Sequence, residues 1–339
     1  MSIARLNIRT SALTILAAAV LAACGGGGDS DNNSGSTHSS TPTPAATSVP
    51  LVTSVATPTY VASSPEKIIF DKVNAERMKC GFGAIQQNTL LDAAAKNHVK
   101  YLELNKGAFT HEEIPGKPGF TGLMAPERAI AVGYKPVAWV SEGMSSSVGN
   151  PPEESVISQL AAPYHSQTML SEYTELGLGT FRSAAYDMTV FNYGSASLSI
   201  GQLPSATGSA GVRTYPCEGV SGVAPALYVE TPQPIARNMT TAPAGHPIMV
   251  FGDHQKKLTL TSAAIIEVPT GRSLPIHRLS TKDNDINANY LRGPHVGYVL
   301  PDVPMLPNTA YSVTVSGTND GQAFTRNFTF STGRDYVFP

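Results

Sequence analysis

The sequence lacks a strong excess of charge of either sign. Its 339 residues contain 23 lysines and arginines against 25 aspartates and glutamates, which gives a formal net charge of −2. Domains that bind nucleic acid usually present a basic surface, and this balance gives no indication of one. We therefore expect neither a nucleic acid nor another strongly charged molecule as a partner.

No apolar run in the sequence is long enough to span a bilayer comfortably. The short apolar stretch 12–23 follows Arg5 and Arg9 and ends in Leu21-Ala22-Ala23-Cys24. A positive start followed by a short apolar run indicates an export signal over residues 1–24. Its end resembles the bacterial lipoprotein cleavage box, which implies that Cys24 is lipidated and becomes the first residue. An ordinary signal peptide is the alternative.

Large apolar residues are almost absent from the stretch 25–62, which consists mainly of Gly, Ser, Thr, Asn and Pro before Leu51. Such a composition cannot bury enough surface to offset its conformational entropy, so it predicts a disordered tether. Gly25, rather than aspartate, follows the cysteine, and resemblance to Gram-negative sorting rules then implies the outer membrane. We expect a cell-envelope protein that is attached to the membrane through a lipid on Cys24.

Cysteine is scarce, with three residues in the whole chain. If Cys24 carries lipid, only Cys80 and Cys217 remain. In an oxidising exported setting, this pair predicts one disulfide, with two buried thiols as the alternative. A cysteine nucleophile is correspondingly disfavoured.

Several motifs of defined chemistry are also absent. His111 is followed by Glu112 and Glu113, but no second histidine completes the zinc motif HExxH. We interpret both glutamates as solvated neighbours of His111. The sequence contains no GxSxG elbow, which disfavours a serine hydrolase of that type, and no phosphate-binding glycine loop after a strand.

Residues 63–204 are predicted to form a first domain of class α+β, with an antiparallel sheet and helices on its faces. His98 lies on the apolar side of the second predicted helix, so we expect it to be a hydrogen-bonded core residue. Helical patterns begin near residues 63, 90, 125 and 152, and strand patterns cover 137–144, 176–181 and 188–193.

An ordered set of short motifs runs through this domain: Asn74-Ala75-Glu76-Arg77, Phe109-Thr110-His111, Ser141-Glu142-Gly143-Met144, His165 with Met169-Leu170, and Glu175-Leu176-Gly177-Leu178-Gly179. The set resembles the CAP superfamily of cysteine-rich secretory, antigen and pathogenesis-related proteins, also called the SCP domain. This resemblance implies a three-layer α-β-α sandwich and a wide cleft lined by two histidines and one or two acids.

The resemblance assigns three residues to the cleft. His111 and His165 match the cleft histidines, and Glu142 matches the acid of the family's Gly-Glu-Asn box, which here reads Ser-Glu-Gly. The family's second acid has no clear counterpart, because Glu153 and Glu154 are helix-start acids first.

Three roles are open to His111, Glu142 and His165. Two imidazoles and a carboxylate suit a divalent metal such as zinc. They also suit acid–base catalysis, which would make the protein a hydrolase. The third role is a buried polar network that orders the loops, and the fold alone does not decide among them.

Residues 205–226 are predicted to be a linker and residues 227–339 an all-β, immunoglobulin-like sandwich. Asn319-Asp320-Gly321 predicts a hairpin turn, and Tyr311 is a candidate for the buried corner tyrosine of that fold. We interpret the histidines of this part as surface or loop residues and not as a metal cluster: His246, His254, His277 and His295.

The sequence as a whole favours an extracytoplasmic binding protein whose cleft takes a lipid or glycan ligand, with or without a divalent metal. The enzymatic alternative is a hydrolase that uses the same three residues. A second alternative is a structural adhesion module with a vestigial cleft.

Overall fold

The structure is a computed structural model. It describes residues 51–335 except 107–108, 136–138, 147, 184–186, 196–210, 228 and 255. The described residues belong to one unit, Thr47–Pro339. The predicted signal peptide, the predicted lipidation site Cys24 and the predicted tether up to residue 50 lie outside the described residues. None of the described helices combines the length and apolar character needed to cross a membrane.

Residues 51–62, which the sequence assigns to the tether, pack on the first domain. The Ala84 amide donates to the Val52 carbonyl at 2.8 Å. The Tyr60 hydroxyl donates to Asp92 Oδ1 at 2.5 Å, and its ring meets Phe70 edge-on at 5.7 Å. The tether prediction is wrong for this stretch, because individual side chains make contacts that its average composition does not reveal.

The first half of the chain contains five helices and four strands among its described residues. Ser64 begins the first helix by accepting from the Lys67 amide, and Asn88 begins the second by accepting from the Leu90 and Leu91 amides. Serine and asparagine are favoured there because their side chains satisfy amides that have no partner within the helix. The elements are α1 Pro65–Lys79, β1 Gln86–Gln87, α2 Thr89–Leu104, α3 Ala125–Ala131, β2 Ser141–Ser145, α4 Glu154–Leu160, α5 Pro163–Met169, β3 Glu175–Arg182 and β4 Asp187–Gly194.

These elements form three layers. The sheet has the order β1-β3-β4-β2, in which β1 runs parallel to β3 and the other pairs are antiparallel. Helices α2 and α3 pack on one face, and α1, α4 and α5 pack on the other. This arrangement confirms the predicted α+β class and explains two glycines of β3. A Cβ on Gly177 would lie 2.1 Å from the Leu91 carbonyl carbon, and one on Gly179 2.5 Å from that of Ala95.

The second half is built from β-strands. One sheet has the order β10-β11-β8-β5 and a second has the order β13-β12-β9, while β6 and β7 form a separate pair. The described strands of this half agree with its predicted all-β class. The strands are β5 Arg213–Tyr215, β6 Ala226–Leu227, β7 Ala244–Gly245, β8 Ile248–Phe251, β9 Leu258–Glu267, β10 Ile276–Thr281, β11 Val296–Pro301, β12 Ala310–Asn319 and β13 Gln322–Ser331.

Two local predictions for this half are confirmed and one boundary changes. Asp320 and Gly321 have φ angles of 54° and 80° in the turn between β12 and β13. Tyr311 is fully buried, and its hydroxyl oxygen accepts from the Leu306 amide at 2.7 Å. The predicted linker 205–226 contains β5, which pairs with β8, so this half begins earlier than its composition indicates.

A disulfide joins the two halves, as predicted. Cys80, which follows α1, is bonded to Cys217, which follows β5, with a Cα–Cα distance of 5.6 Å. Beside it, the Tyr215 hydroxyl donates to Glu76 Oε2 at 3.1 Å. The rings of Phe82 and Phe251 also meet across the boundary at 5.0 Å. The halves therefore share covalent, polar and apolar contacts.

Candidate functional site

Glu142 is the centre of a buried polar cluster on the α2 face of the sheet. It is the second residue of β2, and its side chain is only 3 % exposed. Its Oε2 accepts from Arg128 Nη2 at 2.7 Å, and its Oε1 accepts from His111 Nδ1 at 2.9 Å. Each oxygen thus has its own charged or ring-nitrogen donor, as a buried carboxylate requires.

Arg128 on α3 fixes the loop that carries His111. Its side chain is fully buried, and Nη1 donates to the His111 carbonyl at 3.0 Å and to the Leu123 carbonyl at 3.3 Å. The planar guanidinium can serve several acceptors at once, which suits it to this bridging position. It therefore connects the carboxylate of Glu142 to both ends of the loop between α2 and α3.

The pKa of Glu142 reflects this environment. Burial acts to raise the pKa, but the hydrogen bond from His111 and the charges of Arg128 and His98 outweigh it. The net result is a pKa below the ordinary value for glutamate. Glu142 is therefore ionised at neutral pH and can act as a fixed negative charge behind His111.

His98 and Glu113 form the inner part of the same cluster. His98 is fully buried, with Nδ1 2.9 Å from Glu113 Oε1 and Nε2 3.0 Å from the Thr110 carbonyl. This confirms His98 as a hydrogen-bonded core residue. Glu113 is also fully buried and accepts from the Thr121 amide at 2.6 Å, so the prediction that it is solvated is wrong. Glu112 is exposed, as predicted.

The burial of Glu113 could not be predicted from the sequence, because no local pattern distinguishes it from its neighbour Glu112. Both follow His111 on the same loop, and only the packing of that loop on α2 places one of them against His98. Glu113 and Glu142 both lie close to Arg128, at 3.8 Å and 2.7 Å. The cluster therefore contains two buried acids, of which the sequence identified one.

His111 is the exposed member of the cluster. Its side chain is 46 % exposed, while the carboxylate that it contacts is buried. With Nδ1–H donating to Glu142, the lone pair of the neutral ring is on Nε2. A carboxylate behind one ring nitrogen orients the imidazole, both in general bases and in metal ligands. This pair can accept a proton, donate one, or bind a Lewis acid.

His165 lies in α5 rather than just beyond a helix, and its acidic partner comes from the second half of the chain. Its Nδ1 is 2.5 Å from Glu230 Oε1, and the other oxygen of Glu230 accepts from the Tyr164 amide at 2.9 Å. Burial acts to lower the pKa of His165, but the carboxylate of Glu230 outweighs it and raises that pKa. Glu230 was not identified from the sequence, because no local pattern links it to α5.

The three residues assigned to the cleft therefore fall into two pairs. His111 contacts Glu142, whereas His165 contacts Glu230. Among the described residues, the ligating atoms of His111, Glu142 and His165 do not all lie within 4.8 Å of one another. Both oxygens of Glu142 are also engaged by neighbouring side chains. A metal held by these three residues stays a prediction.

The second half also contributes a cation beside β2. The guanidinium of Arg292 lies over the Tyr173 ring at 4.7 Å, and its Nη1 is 3.1 Å from the Tyr173 hydroxyl. That hydroxyl is 2.6 Å from Ser141 Oγ, one residue before Glu142. Through Tyr173, the positively charged Arg292 in the loop before β11 is therefore connected to the start of β2.

The helix-start acids remain apart from these pairs. Glu154 begins α4, is buried, and accepts from Arg334 Nη2 at 2.9 Å. Glu153 occupies the cap position before it. Within the described part of the chain, neither makes a hydrogen bond or ion pair with His111 or His165.

Three of the four histidines of the second half differ from their predicted roles. His246 is fully buried, and burial lowers its pKa to about 3. His277 is exposed and pairs with Asp302 at 3.0 Å, which agrees with a surface role. His254 and His295, by contrast, lie together against Glu172 and are therefore not separate surface residues.

Comparison with known proteins found one partial structural similarity to report. No protein-family model and no curated protein sequence matches the chain. One solved structure with partial similarity is an extracellular protein containing an SCP domain from Bacillus anthracis. The match has 18 % identity and a TM-score of 0.30, and it covers 37 % of this chain and 39 % of that one. A TM-score this low does not establish a shared fold.

Proposed function

We propose that the chain is an exported, membrane-anchored binding protein with a CAP-like first half and an immunoglobulin-like second half. The ordered motifs and the three layers support the first part of this assignment. The second part is supported by strand order. When β5, β8, β9, β10, β11, β12 and β13 are lettered A to G, the sheets are ABED and CFG, as in constant-type immunoglobulin domains. The buried Tyr311 has the contacts of their corner tyrosine.

Export and anchoring follow from two independent features. The Cys80–Cys217 disulfide is typical of proteins that fold in an oxidising compartment. The signal pattern that ends in Cys24 supplies a lipid attachment site. Expression in a Gram-negative host tests the anchor: the native chain should fractionate with membranes, and Cys24→Ala should not. A native chain found entirely in the soluble fraction would contradict the anchor.

The proposed binding site is the surface around His111. The observation that carries it is an exposed imidazole held by a buried carboxylate, with large apolar side chains exposed nearby in the chain. Phe109 precedes His111 by two residues and is 58 % exposed, and Trp139, just before β2, is 59 % exposed. Leu123 and Met124 are exposed on the loop that Arg128 fixes. Exposed apolar groups beside a polar anchor favour a ligand with both characters, such as a lipid or a glycan.

Trp139 offers a direct test because it is the single tryptophan of the chain. Its fluorescence emission should shift when a fatty-acyl lipid or a cell-wall glycan fragment binds. His111→Ala should weaken the binding, whereas His277→Ala, in an exposed pair on β10, should leave it unchanged. If no lipid or glycan perturbs Trp139, or if both variants bind like the native chain, this site is not the binding site.

A hydrolase that uses the same pair is the second candidate. Glu142 behind His111 is the arrangement that general bases use to activate water. In that case, turnover of an envelope ester or glycan should disappear in His111→Ala and Glu142→Gln while both proteins remain folded. Loss of turnover in His165→Ala as well would bring the second pair into the mechanism. Binding without turnover, with His111 dependence, would favour the binding protein.

A structural adhesion module with a vestigial cleft is the remaining alternative. If the chain is such a module, His111→Ala should change the melting temperature but neither ligand binding nor turnover. Because His111 is largely exposed and its hydrogen bond reaches a carboxylate that Arg128 also holds, we expect only a small loss of stability. A large loss of stability with unchanged binding would favour the structural role.

A further inference from the structure

A second histidine–carboxylate group lies away from His111, between the two halves of the chain. Glu172 lies between α5 and β3, His254 follows β8, and His295 precedes β11. Each residue offers one ligating atom, and these three atoms all lie within 4.8 Å of one another. Among the described residues, this is the one group of three histidine, cysteine or acidic side chains that meets this condition. The proposed binding function does not use any of these side chains.

The distances in this group fit metal coordination. Glu172 Oε1 is 3.2 Å from His254 Nδ1 and 3.3 Å from His295 Nε2. Tetrahedral zinc has bonds of about 2.0–2.1 Å to nitrogen and oxygen, which places neighbouring ligand atoms about 3.3 Å apart. A charge-assisted hydrogen bond between a ring nitrogen and a carboxylate is usually shorter, about 2.7–2.9 Å. The spacing therefore matches two edges of a coordination tetrahedron.

The surroundings are those of a built site. The three side chains are 9 %, 14 % and 6 % exposed for Glu172, His254 and His295. The two imidazole rings lie 4.9 Å apart. His295 Nδ1 has no hydrogen-bond partner among the described residues, so the contact with Glu172 is the polar interaction that the structure gives this ring.

The donor set also selects among metals. Two imidazole nitrogens and one carboxylate oxygen suit zinc and its first-row neighbours, whereas calcium and magnesium prefer oxygen ligands. Three protein ligands would leave a fourth position for water or a small ligand.

We propose that Glu172, His254 and His295 form a site for a divalent transition metal, with zinc the best fit, that joins the two halves of the folded chain. Glu172 belongs to the first half and both histidines to the second. Coordination would add a crosslink between the halves on a part of their boundary distinct from the Cys80–Cys217 disulfide. The site is independent of the surface around His111.

The test uses the purified, untagged full chain after removal of metals by a chelator. Titration with cobalt(II) should give the visible absorption of a tetrahedral N/O site at one equivalent, and zinc should displace the cobalt. Glu172→Gln and His254→Ala each remove a ligand, so affinity should fall by at least about tenfold, the lower bound for losing an outer-shell partner. Zinc should raise the melting temperature of the native chain and not that of these variants.

A matched variant makes the result specific. His277→Ala removes an exposed histidine of the second half and should retain native cobalt affinity. Circular dichroism and an intact disulfide establish that each variant is folded. Absence of binding by the native chain, or native affinity in folded Glu172→Gln or His254→Ala, would overturn the site. Loss of binding in His111→Ala alone would assign the metal to the other surface.

Discussion

His165 Nδ1 lies 2.5 Å from Glu230 Oε1, and these two residues belong to different halves of the chain. The neighbouring residues of α5 make similar contacts. The Tyr164 hydroxyl donates to Asp285 Oδ1 at 2.7 Å, and the Arg292 amide donates to the Gln167 side chain at 2.9 Å. The second half therefore holds the helix that carries one of the predicted cleft histidines. The second half thus helps to position a helix of the first half.

The His165–Glu230 pair should make stability depend on pH. Glu230 raises the pKa of His165 above the unfolded value of about 6.5. The stabilisation is therefore fully present below about pH 6.5 and is lost as the pH rises through the folded pKa. We therefore expect the native chain to be more stable than Glu230→Gln at low pH. This difference in unfolding free energy should decrease as the pH rises from about 6.5 through the folded pKa of His165.

Urea unfolding at a series of pH values measures this difference. His277→Ala provides the control, because its exposed pair should contribute little at any pH. A native-minus-variant difference that stays constant, or that grows as the pH rises, would contradict the assignment of His165 as the titrating group.

Arg128 should be essential to the first half. Arg128→Met removes the guanidinium and leaves the carboxylates of Glu113 and Glu142 buried with fewer donors. Breaking a buried ion pair by removing one partner costs about 3–5 kcal/mol. We expect a loss of that order in urea unfolding, whereas Glu112→Gln, on the exposed neighbour, should change stability by about 0.5 kcal/mol or less. Similar values for both variants would show that the cluster contributes little.

Glu142 should govern part of the acid sensitivity. Its pKa is lowered in the folded state, so its contribution is present above the unfolded pKa of about 4.3 and is lost as the pH falls through the folded value. Glu142→Gln should remove that part of the acid dependence while lowering stability at neutral pH. The measurement is the unfolding free energy from neutral pH downwards. Parallel curves for the native chain and the variant would refute a titration at Glu142.

Local sequence patterns were sufficient to predict most of the helices and strands. Helical spacing located α1 and α2, and the Asn319-Asp320-Gly321 turn located the hairpin of β12 and β13. Tyr311 and the Cys80–Cys217 pair were also identified, because a buried tyrosine after a turn and a leftover pair of exported cysteines each have few structural solutions.

Long-range packing was the information that the sequence did not supply. Glu113 and Glu112 have the same local surroundings, and only the contact with His98 separates them. Glu230 reaches His165 from another part of the chain. Residues 51–62 have the composition of a linker but the contacts of a domain. In each case the partner that decides the residue's environment is distant in sequence. Hydrophobic periodicity describes only neighbouring residues, so it cannot predict such a contact.

The group of Glu172, His254 and His295 illustrates the same limit. His254 and His295 lie on separate loops of the second half, and Glu172 lies in the first. Their sequence spacing matches no short ligand motif of the kind that identifies zinc fingers or HExxH sites. Scattered histidines were therefore interpreted as surface residues, although the fold places two of them against one buried carboxylate.

The disulfide provides the last prediction. Cys80 and Cys217 are 137 residues apart, and closing a loop of that length removes enough chain entropy from the unfolded state to stabilise by at most about 5 kcal/mol. The double variant Cys80→Ser, Cys217→Ser should retain the fold, because Tyr215 still bonds Glu76 across the boundary. We expect it to lose about 2–5 kcal/mol in urea unfolding.

Reduction of the native chain supplies the matched control for this variant. Mass spectrometry should show a gain of two hydrogen atoms after treatment with reductant under denaturing conditions. The reduced native chain should then unfold at the same urea concentration as the double variant, since both lack the same loop constraint. If the double variant is as stable as the oxidised chain, the contacts at the boundary hold the two halves together without the crosslink, and the entropic account is wrong.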